Sequence, residues 1–357
     1  MPPGLVETDH NAASWLSSVN SKRKSHATVS NATAQEDAQP ARKRWTIYLL
    51  EDFPPQAVQF CKDNFETILP SDPEVRNWRE NADAIVVRER VITAEDISAT
   101  KKLKAIGKQG TGIDIIDLDA CDKANIKVLN TPGVNASAVA ELTMCLAFAV
   151  ARQIRTISVK QEQGLEVRKE HCCGLTLTGS CIGVMGMGAI GKMVASMFRD
   201  ALGCTIYAYD PILPADAWAD LPHVRVSSMD EMVPNVDVLS LHVPLLPSTR
   251  GCISMAQFRK MKPTAILLNC ARGGLVNEKD LVAALREDII WGAGLDCHEQ
   301  EPPSLEMYKD LWETGKVVST PHIGATCAST QVKTAITALE RILVYHDSIP
   351  TPPYEKA

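Results

Sequence analysis

The chain has 357 residues, 45% of them hydrophobic and 22% charged, with a formal net charge of −6. That length suits two domains of ordinary size, and the acidic balance excludes the basic footprint that nucleic acid demands. Its longest apolar run, Met144–Ala151, falls far short of the roughly 20 residues that cross a bilayer, so no membrane span is expected.

Residues 1–44 are rich in Ser, Ala, Asn and Thr without apolar period, and read as a disordered tail. Its basic clusters, Lys22–Lys24 and Arg42–Arg44, read as solvated charge. Early acids (Glu7, Asp9) argue against a mitochondrial presequence, no secretory apolar core is present, and cytoplasmic placement is the expectation. Eleven cysteines include no C-x-x-C pair, which suits a reducing compartment.

From residue 45 strands and helices alternate. Trp45–Leu50 is an apolar strand closed by Glu51-Asp52 and Pro54-Pro55, and Pro55–Asn64 follows as a helix. Ala84–Val87, Leu103–Gly107 and Lys127–Asn130 read as further strands. Thr93–Thr100 reads as a helix opened by a Thr with an acid three residues on. Asn135–Gln153 is the longest helical candidate, with Val139, Leu142, Leu146 and Val150 on one stripe. A second alternation runs from Cys181 to about residue 325. Together these predict an α/β chain with two doubly wound parallel sheets.

Cys181–Met185 runs as a strand into Gly186-Met187-Gly188-Ala189-Ile190-Gly191. A helical pattern comes next, then a strand at Thr205–Tyr209 ending on Asp210. This order points to a dinucleotide site. Gly186 makes the tight turn, Gly188 clears space for a pyrophosphate, and Gly191 lets helix and sheet pack closely. Asp210 would accept the ribose hydroxyls and repel a 2′-phosphate, favouring NAD over NADP.

Three later strand ends carry polar groups. Ile266–Asn269 leads to Arg272, Trp291–Leu295 to Asp296 and Glu301, and Val317–Ser319 to His322. Taken singly, Arg272 could be a surface ion pair, Glu301 a solvated acid and His322 a packed imidazole. Open parallel sheets, however, bind ligands at these strand ends. His171-Cys172-Cys173 lacks partners at metal-binding spacing, and no metal is expected. His242 and His298 read as packing or cleft-wall residues.

Several motifs resemble those of the NAD-dependent D-isomer-specific 2-hydroxyacid dehydrogenases over roughly residues 45–345: the glycine loop, N-C-A-R-G-G at Asn269–Gly274, L-D-x-x-x-x-E-P-P at Leu295–Pro303 and P-H-I-G-A at Pro321–Ala325. G-T-G-I-D at Gly110–Asp114 and H-V-P-L-L-P at His242–Pro247 add to these. N-T-P-G-x-N at Asn130–Asn135 and A-E-L-T at Ala140–Thr143 are nearest to the phosphoglycerate dehydrogenase branch. The resemblance implies a Rossmann-like coenzyme domain (147–325) inserted into a flavodoxin-like substrate domain (45–146 and 326–357), and a homodimer.

It further implies an oxidoreductase interconverting a D-2-hydroxy acid and its 2-oxo acid. His322 would be the acid/base, Glu301 its partner, and Arg272 the carboxylate clamp. NAD would be lined by Gly186, Gly188, Ala189, Ile190, Gly191 and Asp210, and on its other side by Val243, Pro244, Cys270, Asp296, Gly324 and Thr111. Substrate would meet Arg88, Gly110, Thr111, Gly112 and Arg272.

Three departures accompany the match. Ala189 stands where relatives often carry Arg, predicting modest NAD affinity. The Pro-rich end at residue 357 predicts no regulatory domain and no serine feedback. Glu89 follows Arg88 where Ser is usual, with Arg90 its candidate partner, which weighs against a phosphate. The substrates weighed are therefore 3-phosphoglycerate/phosphohydroxypyruvate, glyoxylate or hydroxypyruvate, and bulkier 2-oxo acids. An NAD-sensing corepressor-like scaffold is the non-enzymatic alternative.

Overall fold

Two all-parallel sheets organise the chain. The computed structural model describes residues 43–214 and 216–349. The first sheet holds β1 (Thr46–Leu49), β2 (Glu66–Ile68), β3 (Ala84–Val87), β4 (Ala105–Lys108) and β5 (Lys127–Leu129), in the order β2-β1-β3-β4-β5. The second holds β6 (Cys181–Met185), β7 (Thr205–Tyr209), β8 (Val224–Arg225), β9 (Val238–Leu241), β10 (Ile266–Asn269), β11 (Gly292–Leu295) and β12 (Val317–Ser319). Their order is β12-β11-β10-β9-β6-β7-β8. Strand order reverses between β1 and β3 and between β6 and β9, so each sheet opens a crevice at its carboxyl edge there. β3, β4, β9, β10 and β11 are buried along their whole length, as strands covered by helices on both faces must be.

The predicted cap at Thr93 forms: its hydroxyl accepts from the Asp96 N–H at 3.2 Å, and the Asp96 carboxylate accepts from the Thr93 N–H at 3.2 Å. Helix Ala328–Ser348 returns to the first sheet, where Ala335, Ile336, Leu339 and Ile342 pack with Ile47, Val86 and Ala105. A β-carbon on Gly107 of β4 would lie 2.7 Å from Ile342 Cδ1, so helix and strand pack closely there.

Several boundaries differ from expectation. The boundary drawn at residue 146 cuts helix Ala136–Ala151, which packs as one piece on the larger sheet. Val139, Ala140, Leu146 and Val150 share a core with Ile182, Val184 and Phe198. An apolar stripe shows that a helix is buried, not which of two apolar sheets receives it. The expected tail falls outside the described residues except at its end. There Arg44 donates to the carbonyls of Lys62 (2.6 Å) and Phe65 (3.1 Å), so residue 44 belongs to the folded body. The Pro-rich segment from residue 350 also lies outside the described residues. Strand β2 and helix Ile154–Glu162 were not expected; neither buries a residue, which leaves no apolar period to read. Among the described residues no single helix is long and apolar enough to cross a membrane.

Candidate active site

The glycine loop leaves β6 at the switch point of the larger sheet. Gly186 has φ +97°, and a β-carbon there would lie 2.5 Å from the His242 carbonyl oxygen. At Gly191 it would lie 2.1 Å from the Gly186 oxygen, whereas at Gly188 it would meet nothing within 4 Å. Close packing thus dictates the outer glycines, while the middle one leaves an open ledge. Helix Ala189–Leu202 starts at Gly188 without a side-chain cap, so its first N–H groups and positive dipole end are available to phosphate. Ala189 and half-buried Ile190 form the first turn. The short Ala189 side chain lies close to Gly133, where a β-carbon would come within 3.3 Å. Val243 and Pro244 follow β9 against the same loop, with Val243 Cγ1 2.9 Å from a Gly186 β-carbon.

Asp210 ends β7. It accepts from the N–H groups of Met187 (2.9 Å), Ile212 (2.9 Å) and Leu213 (3.1 Å). Burial pushes its carboxyl up, but these three bonds outweigh it and hold the pKa below the usual carboxylate value. The fixed charge thus stands beside the glycine loop. Arg225, the nearby cation, is engaged by the carbonyls of Asp210 (2.9 Å) and Leu213 (2.6 Å). These features fit a dinucleotide. Gly186→Ala, which adds both strain and a clash, should lower stability by about 2–3 kcal/mol and weaken NADH binding. A wild-type melting temperature would contradict that.

The acid-base candidates meet as expected. His322 Nδ1 is 2.9 Å from Glu301 Oε2, and Glu301 Oε1 accepts from the His298 N–H at 3.1 Å. The Glu301 hydrogen bond raises the His322 pKa above the ordinary imidazole value, outweighing burial. Burial pushes Glu301 up, but its bonds from His322 and His298 bring it below the carboxylate norm. Both shifts agree on an imidazolium–carboxylate pair. Asp296, almost fully buried, fixes the loop that carries His322. It accepts from Thr320 Oγ1 (2.6 Å), Ile323 N (2.7 Å) and Gly324 N (2.8 Å), and its own carbonyl accepts from His322 N (2.7 Å). His322 has φ +59°.

His242 and His298 pack. Burial pushes the His242 pKa down to about 3, and its Nε2 lies 2.8 Å from Ser240 Oγ. His298 Nε2 lies 2.8 Å from Ser319 Oγ, and burial lowers its pKa too. Cys270, buried at the end of β10, is pushed up to about 12 by burial and stays a neutral thiol.

Arg272 bridges the two sheets. Asn269 shapes its turn, accepting from Ala271 N (3.1 Å) and donating to the Arg272 carbonyl (2.8 Å). The guanidinium donates from Nε to Asp114 Oδ2 at 2.8 Å. It lies so near Gly112 that a β-carbon there would fall 1.6 Å from Nη2. The facing loop begins at Gly110, with φ +112°. It is pinned by Thr131 Oγ1 accepting from Gly110 N (2.9 Å) and Asn130 Nδ2 donating to the Thr111 carbonyl (2.6 Å). The Thr111 hydroxyl donates to Asn135 Oδ1 at 3.1 Å.

Arg88 is set differently. Its Nε lies 3.3 Å from Glu89 Oε1, so Glu89 pairs with Arg88 and not with Arg90 as expected. The Glu51 carboxylate accepts from the backbone N–H groups of Arg88 (2.5 Å), Glu89 (3.0 Å) and Arg90 (3.2 Å).

Three residues were missed by sequence reading: Glu51, Asp114 and Lys108. Each ends or follows a strand at the carboxyl edge, which is the signal that could have flagged them. Lys108 is buried, donates to the Gln109 carbonyl at 2.7 Å, and has its Nζ 3.3 Å from where a Gly110 β-carbon would be. Burial, reinforced by the Arg272 charge, lowers its pKa to about 8. Its positive charge therefore fades as pH rises through that value. The KM for an anionic substrate should rise above pH 8, and Lys108→Met should flatten that rise; an unchanged profile would contradict it.

An NAD-type ledge, an imidazolium–carboxylate pair and a guanidinium at one cleft define a dehydrogenase-like site. Residues 144–324 match the family model for D-isomer specific 2-hydroxyacid dehydrogenase, NAD binding domain. The chain is 37% identical over 304 residues to a hydroxypyruvate reductase of Thermotoga maritima, covering 84% of this chain and 97% of that protein. It is 38% identical over 266 residues to a D-3-phosphoglycerate dehydrogenase of Methanocaldococcus jannaschii, covering 74% of this chain but only 49% of that protein. Among solved structures, the NAD+-bound 3-phosphoglycerate dehydrogenase of Entamoeba histolytica superposes with a TM-score of 0.70 at 25% identity, covering 86% of this chain and 96% of that one. The chain therefore belongs to the D-isomer specific 2-hydroxyacid dehydrogenase family, a family of NAD-dependent oxidoreductases.

Proposed function

We propose that this chain reduces a short 2-oxo acid, of the hydroxypyruvate or glyoxylate class, to its D-2-hydroxy acid. The observation that carries the choice of substrate is Glu51. Its carboxylate takes the three N–H groups of residues 88–90, which closes them to a substrate anion, while Glu89 offsets Arg88. A dianionic phosphate entering there would meet two carboxylates. The Thermotoga maritima relative, matched over nearly its whole length, bears a hydroxypyruvate reductase name.

The nicotinamide, when bound, supplies the reducing equivalent for the substrate carbonyl carbon. Gly186, Gly188, Gly191 and Asp210 would hold the dinucleotide on its ledge, and Asp210 disfavours a 2′-phosphate by charge. Arg272 forks onto the substrate carboxylate, assisted by the Thr111–Gly112 backbone and Lys108. His322, held through Nδ1 by Glu301, gives the proton on Nε2 to the carbonyl oxygen as charge gathers there. Glu301 stabilises the imidazolium beforehand, and Asp296 keeps the His322 loop in register.

NADH consumption with hydroxypyruvate, glyoxylate, phosphohydroxypyruvate and branched 2-oxo acids tests this. The expected result is kcat/KM at least ~10-fold higher for the two short acids than for the phosphorylated one, a difference of roughly 1.4 kcal/mol. A preference for phosphohydroxypyruvate would overturn the substrate class. No turnover with any acid would favour the scaffold alternative.

The same reading includes a homodimer, supported by exposed Phe148 and Ile154 on the adjoining helices Ala136–Ala151 and Ile154–Glu162. Sedimentation as a single 38.9 kDa species would refute it. Free thiols at all eleven cysteines suit a cytoplasmic setting.

A further inference from the structure

We propose that Cys297, Glu301 and His322 form a binding site for a soft divalent cation, Zn2+ being the type, and that its occupation switches off the acid-base pair. This rests on the reading of His322 as proton donor only for its effect on turnover; the site itself stands on geometry. A thiol sulfur, a carboxylate oxygen and an imidazole nitrogen from these residues lie within 4.8 Å of one another. Thiolate, imidazole and carboxylate are the usual zinc donors, and the first two select against Mg2+ or Ca2+.

The dimensions suit a tetrahedral ion. Bond lengths of about 2.0–2.3 Å put neighbouring donors roughly 3.3–3.7 Å apart. The Nδ1–Oε2 separation of 2.9 Å need open by only a few tenths of an ångström, and the sulfur, within 4.8 Å of both, has to close by about an ångström at most. Access is one-sided: Cys297 is buried at the end of β11, while the His322 and Glu301 side chains are 43% and 35% exposed to the cleft. An arriving cation would meet the carboxylate and imidazole first and the sulfur last, leaving its fourth position to water.

Protons balance as follows. Starting from the imidazolium, the Nδ1 proton and the thiol proton leave to solvent, and the ion bonds Nδ1, Sγ and the carboxylate oxygen. Nε2 keeps its proton, but a metal-bound neutral imidazole releases that proton only at strongly alkaline pH. The group that must cycle a proton near neutrality is therefore locked, while the glycine-loop ledge is untouched.

Co2+ titration of the whole chain, without substrate, reads the site independently of turnover. A thiolate-to-cobalt charge-transfer band in the near ultraviolet is expected, and it should vanish in Cys297→Ala and Cys297→Ser. No band in the wild-type protein, or the same band in both variants, would overturn the proposal; the second result would assign the metal to another cysteine. In turnover assays, micromolar Zn2+ should slow the wild type by at least ~10-fold, reversibly with chelator, while Mg2+ does nothing. Cys297→Ser should keep near-wild-type basal turnover and lose most of the zinc sensitivity. Should the Cys297 variants fail to fold, His322→Asn decides: the band should weaken strongly there, and an unchanged band would overturn the proposal. Should turnover prove absent altogether, a positive spectrum separates the failure of the reaction assignment from that of the metal site.

Discussion

His322→Asn should lower kcat for 2-oxo acid reduction by ~10²–10⁴-fold while leaving the NADH dissociation constant within a few-fold of wild type. Asparagine is the instructive replacement. His322 sits at φ +59°, a region asparagine tolerates better than most residues, so the backbone of the 320–324 loop is retained while the proton is removed. Asp296 still holds that loop through Ile323 and Gly324. A large fall in NADH binding or in melting temperature would mean that the substitution had damaged the loop. Unchanged kcat would remove His322 from the reaction.

The second large effect is expected at Arg272. Arg272→Lys keeps the charge but loses the planar fork, and kcat/KM should fall ~10²–10³-fold, comparable to deleting a donor aimed at developing negative charge. Stability should hardly move, because the Arg272–Asp114 pair is partly solvated and such pairs contribute little. Steady-state kinetics beside a thermal melt separates the two. Near-wild-type kcat/KM in the lysine variant would show that a point charge suffices, and the bidentate clamp would be withdrawn.

Much of this site could be read before any coordinates, for a physical reason. Each key residue stands at the end of an apolar run that can only be a buried strand, and parallel sheets gather strand ends along one edge. Glycine spacing likewise reports local backbone geometry, so Gly186, Gly188 and Gly191 were interpretable from order alone. Residues acting across distance were not. Glu51 and the 88–90 loop are brought together by the pairing of β1 with β3. Asp114 reaches Arg272 only because the two sheets face each other at the cleft. Nothing in the sequence sets Lys108 apart from other lysines, and its burial beside Gly110 follows from the turn after β4. Helix Ala136–Ala151 shows the same limit at the level of packing: its stripe announced burial and withheld the partner.

Asp296 illustrates a subtler gap. The family resemblance put it against NAD; the structure has three donors from the 320–324 loop on its carboxylate. Whatever it offers a cofactor, it already orders the strand end that presents His322.

The account stands or falls on the Glu301–His322 pair, and the pH dependence of kcat for hydroxypyruvate reduction, measured in the wild type and in Glu301→Gln, tests it most directly. Reduction needs the protonated imidazole, so kcat should be high at low pH and fall as His322 loses its proton. In the wild type that fall should come above the ordinary imidazole pKa, because the Glu301 hydrogen bond raises it. Replacing the carboxylate should move the fall to lower pH and reduce the plateau. Superimposable profiles in the two proteins would contradict the pairing and, with it, the assignment of His322 as the proton donor.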